Sequence, residues 1–247
     1  MRFAAKVAYD GTAYHGFQRQ RSAPTIQLRL EEALAALSGR PVSVIGAGRT
    51  DAGVHATGQV ISFDLDWTHG PDRLRSALNA NLPQDIAVRD VWQARDDFHP
   101  RFDAVSRSYE YRLYVAEVRD PLLDRTAWRL SRALDLGAVA KAAGGLIGTH
   151  DFIAFGTPPR GENSVRTVVE AEWTAQDDGR QRFYITADAF LYKMVRTITA
   201  TLAQVGLGQM TAEDFRGILA ARQRGLAAPP APACGLTLVA VTYSEHV

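Results

Sequence analysis

The apolar and polar positions of the first hundred residues predict two helices set among four strands. Strand-type patterns lie at about 2–9, 42–47, 58–65 and 85–93. From Ile26 onward, apolar residues recur every three to four positions until Gly39, which predicts one helix, and a second helix is predicted near 71–79. The resulting β-α-β-β-α-β order is that of the split βαβ, ferredoxin-like unit.

The second half has a similar order of elements. The stretch AVSRSYEYRLYV at 104–115 alternates as a strand, 136–147 is a helix rich in small residues, and a hairpin is predicted around Asp178-Gly179. A helix over about 190–206, a shorter one that starts at the Thr211 cap and the closing strand LTLVAV complete this half.

These patterns predict an α+β fold of two ferredoxin-like, RRM-like units with antiparallel sheets. We expect the units to span residues 1–103 and 104–247. The halves share the order of their elements but no visible sequence repeat. Two sheets that face each other would form a central cleft, in which side chains from both halves could meet.

Composition limits the classes of function without choosing one. The 28 basic and 27 acidic residues among 247 nearly cancel, so any nucleic-acid footprint has to be local. Cys234 is the only cysteine, which leaves no disulfide framework and fits a reducing cytoplasm. The chain has no secretion signal and no apolar stretch of about 18 residues, so we expect a cytoplasmic protein without a membrane segment.

The stretch GAGRTDAGVHATGQV at 46–60 is the strongest candidate for chemistry. It sets one carboxylate, Asp51, among four glycines. An aspartate in such a loop is ordinarily a turn former whose side chain bonds nearby backbone. Arg49 changes this expectation, because in an extended stretch it points the same way as Asp51. A paired arginine keeps a carboxylate ionised, and an ionised, oriented carboxylate is a nucleophile or a base.

Metal and phosphate sites are not indicated by the sequence. The chain has six histidines: His15, His55, His69, His99, His150 and His246. They show no ligand spacing, and His55 taken alone is more often a hydrogen-bonded structural residue than a catalyst. The glycines of 46–53 match neither GxxxxGK[ST] nor a GxGxxG motif after a strand. We therefore expect no metal and no small-molecule cofactor.

Basic and aromatic residues cluster in two places that are candidates for contact with RNA. On the strand at 104–115, Arg107 shares one face with two tyrosines, the first of them Tyr109. That face is either a half-buried sheet surface or a platform for stacking a base. Arg19 and Arg21 lie in FQRQR, which is either a contact to an RNA backbone or a solvated charged face.

The helix predicted at about 190–206 carries two further candidates. Its apolar residues follow a 4-3-4-3 spacing that is typical of a core stripe. Lys193 and Arg196 lie off this stripe, near a helix start, where the dipole favours anions rather than cations. A carboxylate or phosphate partner would explain their position.

Several of these motifs together resemble the tRNA pseudouridine synthase A family. They are YDGTAYHGFQRQ, GAGRTDAGVHATGQV, NANLPQDIAV, FHPRFDAVSRSYEYRL, FLYKMVRTI and the closing GLTLVAV, and they follow in order along essentially the whole chain. The resemblance implies isomerisation of uridine to pseudouridine at positions 38 to 40 of the tRNA anticodon stem-loop. It also implies a homodimer without metal or cofactor, with two ferredoxin-like halves that face a basic RNA-binding cleft.

The resemblance assigns roles to individual residues. Asp51 takes the position of the catalytic aspartate, and Arg49 that of the arginine implicated in displacing the target base. Tyr109 corresponds to the tyrosine that stacks on uracil, and Arg196 to the arginine that pairs with the aspartate. Lys193 stands where histidine or another polar residue can occur, which affects RNA contacts rather than catalysis. The remaining predicted substrate contacts are Arg107, Arg19, Arg21 and His55.

This chemistry suits a site with one carboxylate. Glycosidases that use water generally need two carboxylates. In pseudouridine formation, uracil is both the leaving group and the incoming nucleophile, so one carboxylate can suffice. Asp51 would attack C1′ of the sugar or C6 of uracil, or remove a sugar proton. The target uridine has to flip out of its stack, and Arg49 is placed to fill the gap.

Two other classes of protein share part of these features. A non-catalytic RNA-binding protein with two RRM-like units would keep the basic and aromatic residues but would not need the Arg49–Asp51 pair. The RRM aromatic signature is also missing from the sequence. A sugar hydrolase with two carboxylates would use Asp64 or Asp66 beside Asp51, but both lie at the end of a predicted strand.

Overall fold

The computed structural model describes residues 1–158, 161–176 and 178–244. Within this part of the chain, contacts divide the protein into two compact units. The first comprises Met1–Val105 together with the C-terminal segment from Thr237, and the second comprises Ser106–Leu236. Both units are mixed α+β, in agreement with the predicted fold class, and most strand pairs within them are antiparallel.

The first unit is a sheet with two helices. Its elements are β1 (Arg2–Tyr9), α1 (Ile26–Ser38), β2 (Ile45–Gly46), β3 (His55–Asp64), α2 (Pro71–Asn81) and β4 (Ile86–Gln93). Strand β1 lies between β3 and β4 and is antiparallel to both, with Ala5 opposite Ile61 on one side and Val91 on the other. Ala4 and Ala5 are fully buried, so the centre of this unit's core lies along β1.

The first helix begins and ends where the local sequence predicts. Thr25 is its N-cap, and the Thr25 side chain accepts a hydrogen bond from the Leu28 N–H at 3.3 Å. Gly39 ends the helix in the left-handed conformation, with φ of 69°, and its N–H bonds Ala35 O at 2.9 Å. Each cap bonds a residue at most four positions away, so the local sequence pattern located both ends of the helix correctly.

The strand predicted at 42–47 is much shorter in the structure, where β2 has only two residues. The backbone before it is bonded by side chains of α1 instead of a neighbouring strand. Val44 N–H donates to Glu31 Oε1 at 3.2 Å, and Gln27 Nε2 donates to Val44 O at 3.0 Å. Val44 is buried, which explains its strand-like apolar pattern.

The second unit has a sheet in the order β5-β9-β8-β7, in which these strands are antiparallel to their neighbours. Its elements are β5 (Ala104–Val115), β6 (Trp128–Leu130), α3 (Leu136–Gly144), β7 (Gly148–Asp151), β8 (Val165–Ala175), β9 (Arg180–Ala187), α4 (Met194–Gly206) and α5 (Ala212–Ala221). The predicted hairpin of β8 and β9 and the capped helix α5 are confirmed. Thr211 and Asp214 form a reciprocal capping box. The short strands β6 and β7 were not predicted.

The last strand, β10 (Leu236–Tyr243), belongs from Thr237 onward to the first unit, whereas the predicted division at residue 104 placed it in the second. It pairs with β3 of the first unit in parallel, with Thr237 opposite His55. Strand β2 occupies only the Ile61 and Ser62 positions of β3, so the other end of β3 is open to β10. A Cβ on Gly58 would lie 2.1 Å from Val239 O, so this close pairing requires glycine.

Within the described ranges, no helix combines the length and the apolar character needed to cross a membrane.

Candidate active site

The loop between β2 and β3 carries Asp51 and is held in place through the buried side chain of Thr50. Arg49 is exposed, Thr50 is buried and Asp51 is partly buried, so the loop turns Thr50 inward between two charged residues. The Thr50 Oγ1 and the Tyr9 hydroxyl are 2.8 Å apart in a buried hydrogen bond. Burial raises the pKa of Tyr9 to about 12, so its hydroxyl keeps its proton at neutral pH.

A buried glutamine fixes the start of the same loop. Gln59 has no exposed surface, and its Nε2 donates to Gly48 O at 2.9 Å. Its Oε1 accepts the Gly48 N–H at 3.3 Å, so the amide bonds both backbone groups of Gly48. Ala47 N–H also donates to Val60 O at 2.8 Å. The backbone of Ala47 and Gly48, directly before Arg49, is therefore attached to β3 at several points.

A second loop, residues 10–17, packs against the Asp51 loop. Phe17 N–H donates to Thr50 O at 3.0 Å, and Gly53 N–H donates to Tyr14 O at 3.3 Å. Gly16 has a φ of 90°, and a Cβ there would lie 2.6 Å from Thr50 O. The motifs YDGTAYHGFQRQ and GAGRTDAGVHATGQV, distant in sequence, thus form one compact structure around Asp51.

Replacing Gly16 with alanine is expected to lower the free energy of unfolding by about 3 kcal/mol. The new Cβ would meet the Thr50 backbone while also being held at a positive φ. Gly39→Ala is the matched control, because Gly39 also has a positive φ, of 69°, but nothing lies within 4 Å of its Cβ position. That variant should lose only about 1 kcal/mol.

Urea denaturation of both variants measures this difference. Equal losses for Gly16→Ala and Gly39→Ala would mean that the contact with the Asp51 loop has no energetic weight. Turnover should fall only in Gly16→Ala, since displacement of Thr50 moves the neighbouring carboxylate.

His55 lies at the end of the Asp51 loop and is almost fully buried. The Gly11 N–H donates to its Nδ1 at 3.1 Å. Asp10 Oδ1 lies 3.2 Å from the same nitrogen and forms an ion pair with it only in a doubly protonated ring. These contacts with the 10–17 loop favour a structural role for His55, and its predicted contact with RNA remains a prediction.

Arg19 and Arg21 lie in the segment that follows the 10–17 loop, and both are exposed. Arg19 Nη1 donates to Glu31 Oε2 at 2.8 Å. The Glu31 side chain is only 10% exposed and also accepts the Val44 N–H. Arg19 therefore compensates a largely buried carboxylate, and this structural duty was not visible in the sequence.

In the second unit, Tyr109 and Tyr111, two of the three tyrosines of β5, have different environments. Tyr109 is 9% exposed, and its ring meets Phe190 edge-on with 5.0 Å between centroids. Tyr111 is fully buried, its hydroxyl donates to Pro232 O at 2.8 Å, and burial raises the pKa of this hydroxyl. Arg107 Nη1 donates to Asp188 O at 2.8 Å. Tyr111 is thus a core residue, whereas Tyr109, on the same face of the strand, keeps a small exposed surface.

Arg196 holds the Pro/Ala loop, residues 226–235 (LAAPPAPACG), that precedes β10. Its Nε donates to Ala231 O at 2.7 Å, and Ala231 N–H donates to Arg196 O at 3.1 Å. Thr201, one and a half turns further along α4, accepts the Ala228 N–H at 3.2 Å. The loop and α4 therefore fix the guanidinium of Arg196 at its Nε.

Lys193 is not a helical residue, in contrast to the prediction of a helix from about 190. Helix α4 begins at Met194, and Lys193 is its N-cap with a left-handed φ of 64°. The prediction that Lys193 lies within this helix together with Arg196 is therefore wrong. The exposed Lys193 instead places its Nζ 4.9 Å from the ring centroid of Tyr192. Tyr192 is held by paired backbone hydrogen bonds with Thr157.

The structure thus groups the predicted residues by unit. The first unit holds Arg49, Asp51, His55, Arg19 and Arg21. The second unit holds Arg107, Tyr109, Lys193 and Arg196. Sequence reasoning missed Tyr9, Gln59 and Gly16, which lie within the recognised motifs but show their roles only through contacts. Residues 1–158, 161–176 and 178–244 contain no group of three or more His, Cys, Asp or Glu side chains arranged to hold a metal ion. His246 lies outside the described residues.

The chain matches a family model described as tRNA pseudouridine synthase over residues 5–103 and 142–244. It is 40% identical over 238 residues to tRNA pseudouridine synthase A of Acetivibrio thermocellus, with 96% of this chain and 97% of that protein covered. The protein of the same name from Bacillus subtilis is 41% identical over 248 residues, covering 99% and 100% of the two chains. That of Streptococcus suis is 41% identical over 251 residues, covering 99% of each.

The fold, the aspartate loop and these matches define an enzyme of the pseudouridine synthase class, an isomerase. The chain belongs to the tRNA pseudouridine synthase family, and the three relatives above are each named tRNA pseudouridine synthase A.

Proposed function

We propose that this enzyme converts uridine to pseudouridine at positions 38 to 40 of the tRNA anticodon stem-loop, with Asp51 as its catalytic carboxylate. The observation that supports this most directly is the construction around Asp51. Buried hydrogen bonds from Tyr9 and Gln59, together with the close approach of Gly16, fix the loop on both sides of the carboxylate. Such preorganisation is expected of a group that has to meet a reacting atom within narrow tolerances.

The reaction breaks the C1′–N1 bond of uridine and forms a C1′–C5 bond. The proton at C5 leaves, and N1 gains one. Asp51 acts on the target nucleotide while the C1′–N1 bond breaks and the C1′–C5 bond forms. The uracil that leaves is also the nucleophile that then bonds C1′. Because Arg49 is exposed beside Asp51, it fits the role of filling the stack after the uridine flips out.

The second unit carries the other residues that we propose to act on the target uracil and to bind the RNA. Tyr109 stacks on uracil, and its hydroxyl takes the C5 proton while it passes its own proton to water. By the family resemblance, Arg196 takes the position of the arginine that pairs with the aspartate, and Lys193 and Arg107 are contacts to the RNA. We further propose that each unit is ferredoxin-like, consistent with the β4-β1-β3 and β5-β9-β8 strand orders. As the family resemblance implies, the enzyme is a cytoplasmic homodimer that needs no metal or cofactor.

Release of tritium from C5-tritiated uridine in a tRNA transcript tests this function. Wild-type enzyme without added metal or nucleotide should release tritium in proportion to the uridines at positions 38 to 40. A transcript with cytidine at those three positions is the matched control and should release none. Release from the control transcript would move the reaction to another site, and binding without any release would favour the non-catalytic RNA-binding protein.

The two arginines of FQRQR are expected to differ in their effects. Arg21→Gln should lower the slope of log Kobs against log salt concentration by roughly 0.7 to 0.9, as the loss of one phosphate contact does. Arg19→Gln should in addition lower the free energy of unfolding by about 1 kcal/mol, because Glu31 loses its ion-pair partner. Filter binding from low to high salt and urea denaturation measure these effects. An unchanged salt slope in Arg21→Gln would remove this segment from the RNA footprint.

A further inference from the structure

The turn at residues 98–103 presents an aromatic side chain to solvent. Phe102 is 75% exposed, although it lies in a segment whose neighbour Phe98 is fully buried. The ring of Phe102 lies tilted against that of His99, with 4.2 Å between centroids and an interplanar angle of 33°. The Arg101 guanidinium carbon lies 5.8 Å from the centroid of the Phe102 ring. An exposed ring is thus held in a fixed orientation beside a cation.

The backbone of this turn is extensively bonded. His99 Nδ1 accepts the N–H groups of Arg101 and Phe102, at 3.1 and 3.3 Å. The Asp103 carboxylate accepts the His99 N–H at 3.1 Å and a bond from Arg95 at 3.0 Å. This arrangement holds the backbone of the turn while Phe102 stays 75% exposed, and it pairs the charge of Asp103 with Arg95.

The base of the turn is anchored in the core of the first unit. The Tyr243 hydroxyl donates to Pro100 O at 2.8 Å, and the Tyr243 ring meets buried Phe98 edge-on at 5.3 Å. Arg2 Nη1 donates to Phe98 O at 3.2 Å. Because both ends of the turn are tied down, ordering Phe102 on a ligand costs little conformational entropy.

We infer that Phe102 is a stacking platform for an unpaired base of the RNA substrate, with Arg101 beside it for the adjacent phosphate. A flat exposed ring next to a cation matches the base and phosphate of a nucleotide, and base–aromatic stacking is a general mode of RNA recognition. The same pairing of an exposed aromatic with a cation occurs at Tyr192 and Lys193 of the second unit. The inference rests on the proposed function, since it presupposes an RNA substrate.

Substitutions that separate stacking from simple apolar contact test this inference. Phe102→Leu keeps an apolar side chain but removes the ring, whereas Phe102→Trp keeps a ring. We expect Phe102→Ala and Phe102→Leu to raise the Kd for a tRNA transcript by about 5- to 100-fold, and Phe102→Trp to stay within about twofold of wild type. The factor should be the same at low and high salt, because no charge is removed. Leu122→Ala, which removes an apolar side chain that is 87% exposed, should leave the Kd unchanged.

Filter binding with the full-length protein gives these Kd values, and sedimentation without RNA gives the association state. The inference is overturned if Phe102→Leu binds as tightly as Phe102→Trp, or if Phe102→Ala keeps the wild-type Kd. It is also overturned if Phe102→Ala changes the association state of the protein, because the ring then contacts a second copy of the chain. Tritium release by wild type distinguishes failure of this inference from failure of the proposed function. If wild type releases tritium, only the role of Phe102 is refuted.

Discussion

Replacing Asp51 with asparagine is expected to lower turnover by roughly 10³-fold or more while the Kd for tRNA stays within a few fold. Asparagine keeps the size and the hydrogen-bonding oxygen of the side chain but cannot act as a nucleophile or a base, and groups that act on reacting atoms have effects of this size. The loop itself is fixed by Thr50, Gly48 and Gly53 through backbone and buried contacts, so its conformation should survive the substitution.

Single-turnover tritium release, measured beside filter binding of the same transcript, separates the chemical step from RNA binding. A variant that remains nearly as active as wild type would sink the catalytic assignment of Asp51. Loss of RNA binding together with activity would show instead that the carboxylate holds the loop. Urea denaturation of Asp51→Asn is the control for folding, and its midpoint should lie close to that of wild type.

Removal of the Tyr109 hydroxyl is expected to lower turnover by about 10²-fold, because the group proposed to take the C5 proton is lost. Tyr109→Phe keeps the ring, so the Kd for tRNA should stay within about threefold of wild type. The neighbouring Tyr111 provides a matched control in the same strand. Tyr111→Phe makes the same chemical change but breaks only the bond to Pro232 O, so it should keep wild-type turnover and lose about 1 kcal/mol of stability.

Tritium release and urea denaturation of the two variants give opposite patterns under this assignment. Turnover close to wild type in Tyr109→Phe would limit Tyr109 to stacking and leave the C5 proton to another base. An equal loss of turnover in Tyr111→Phe would point to the Pro/Ala loop, which Tyr111 and Arg196 both hold through its carbonyl groups.

The elements that the sequence predicted correctly are those whose signals are local. Helix α1 follows from its apolar period and from the glycine at 39, and α5 follows from a capping box of residues three positions apart. The hairpin of β8 and β9 was indicated by its turn. In each case the physical cause acts within one or two turns of backbone, so the pattern of a short segment carries it.

The sequence by itself also determined the family, and it singled out Asp51 and Arg49 through a distinctive motif. Only the tertiary structure showed what holds Asp51 in place. The supporting bonds join residues far apart in the chain, such as Tyr9 with Thr50, which are 41 positions apart. Gly16 matters because a second loop passes 2.6 Å from its Cβ position, and no local pattern records that approach.

Three further features were likewise decided by distant contacts. The pairing of β10 depended on which end of β3 remained open beside the short strand β2. By their spacing, Tyr109 and Tyr111 lie on the same face of β5, yet the fold buries only Tyr111 completely, against the Pro/Ala loop. Lys193 lies outside α4 because the preceding residue, Tyr192, pairs with Thr157, which fixes the chain direction before α4 begins. Local periodicity and caps therefore specified the elements, while the pairing of distant backbone and buried side chains decided their partners and the geometry around the carboxylate.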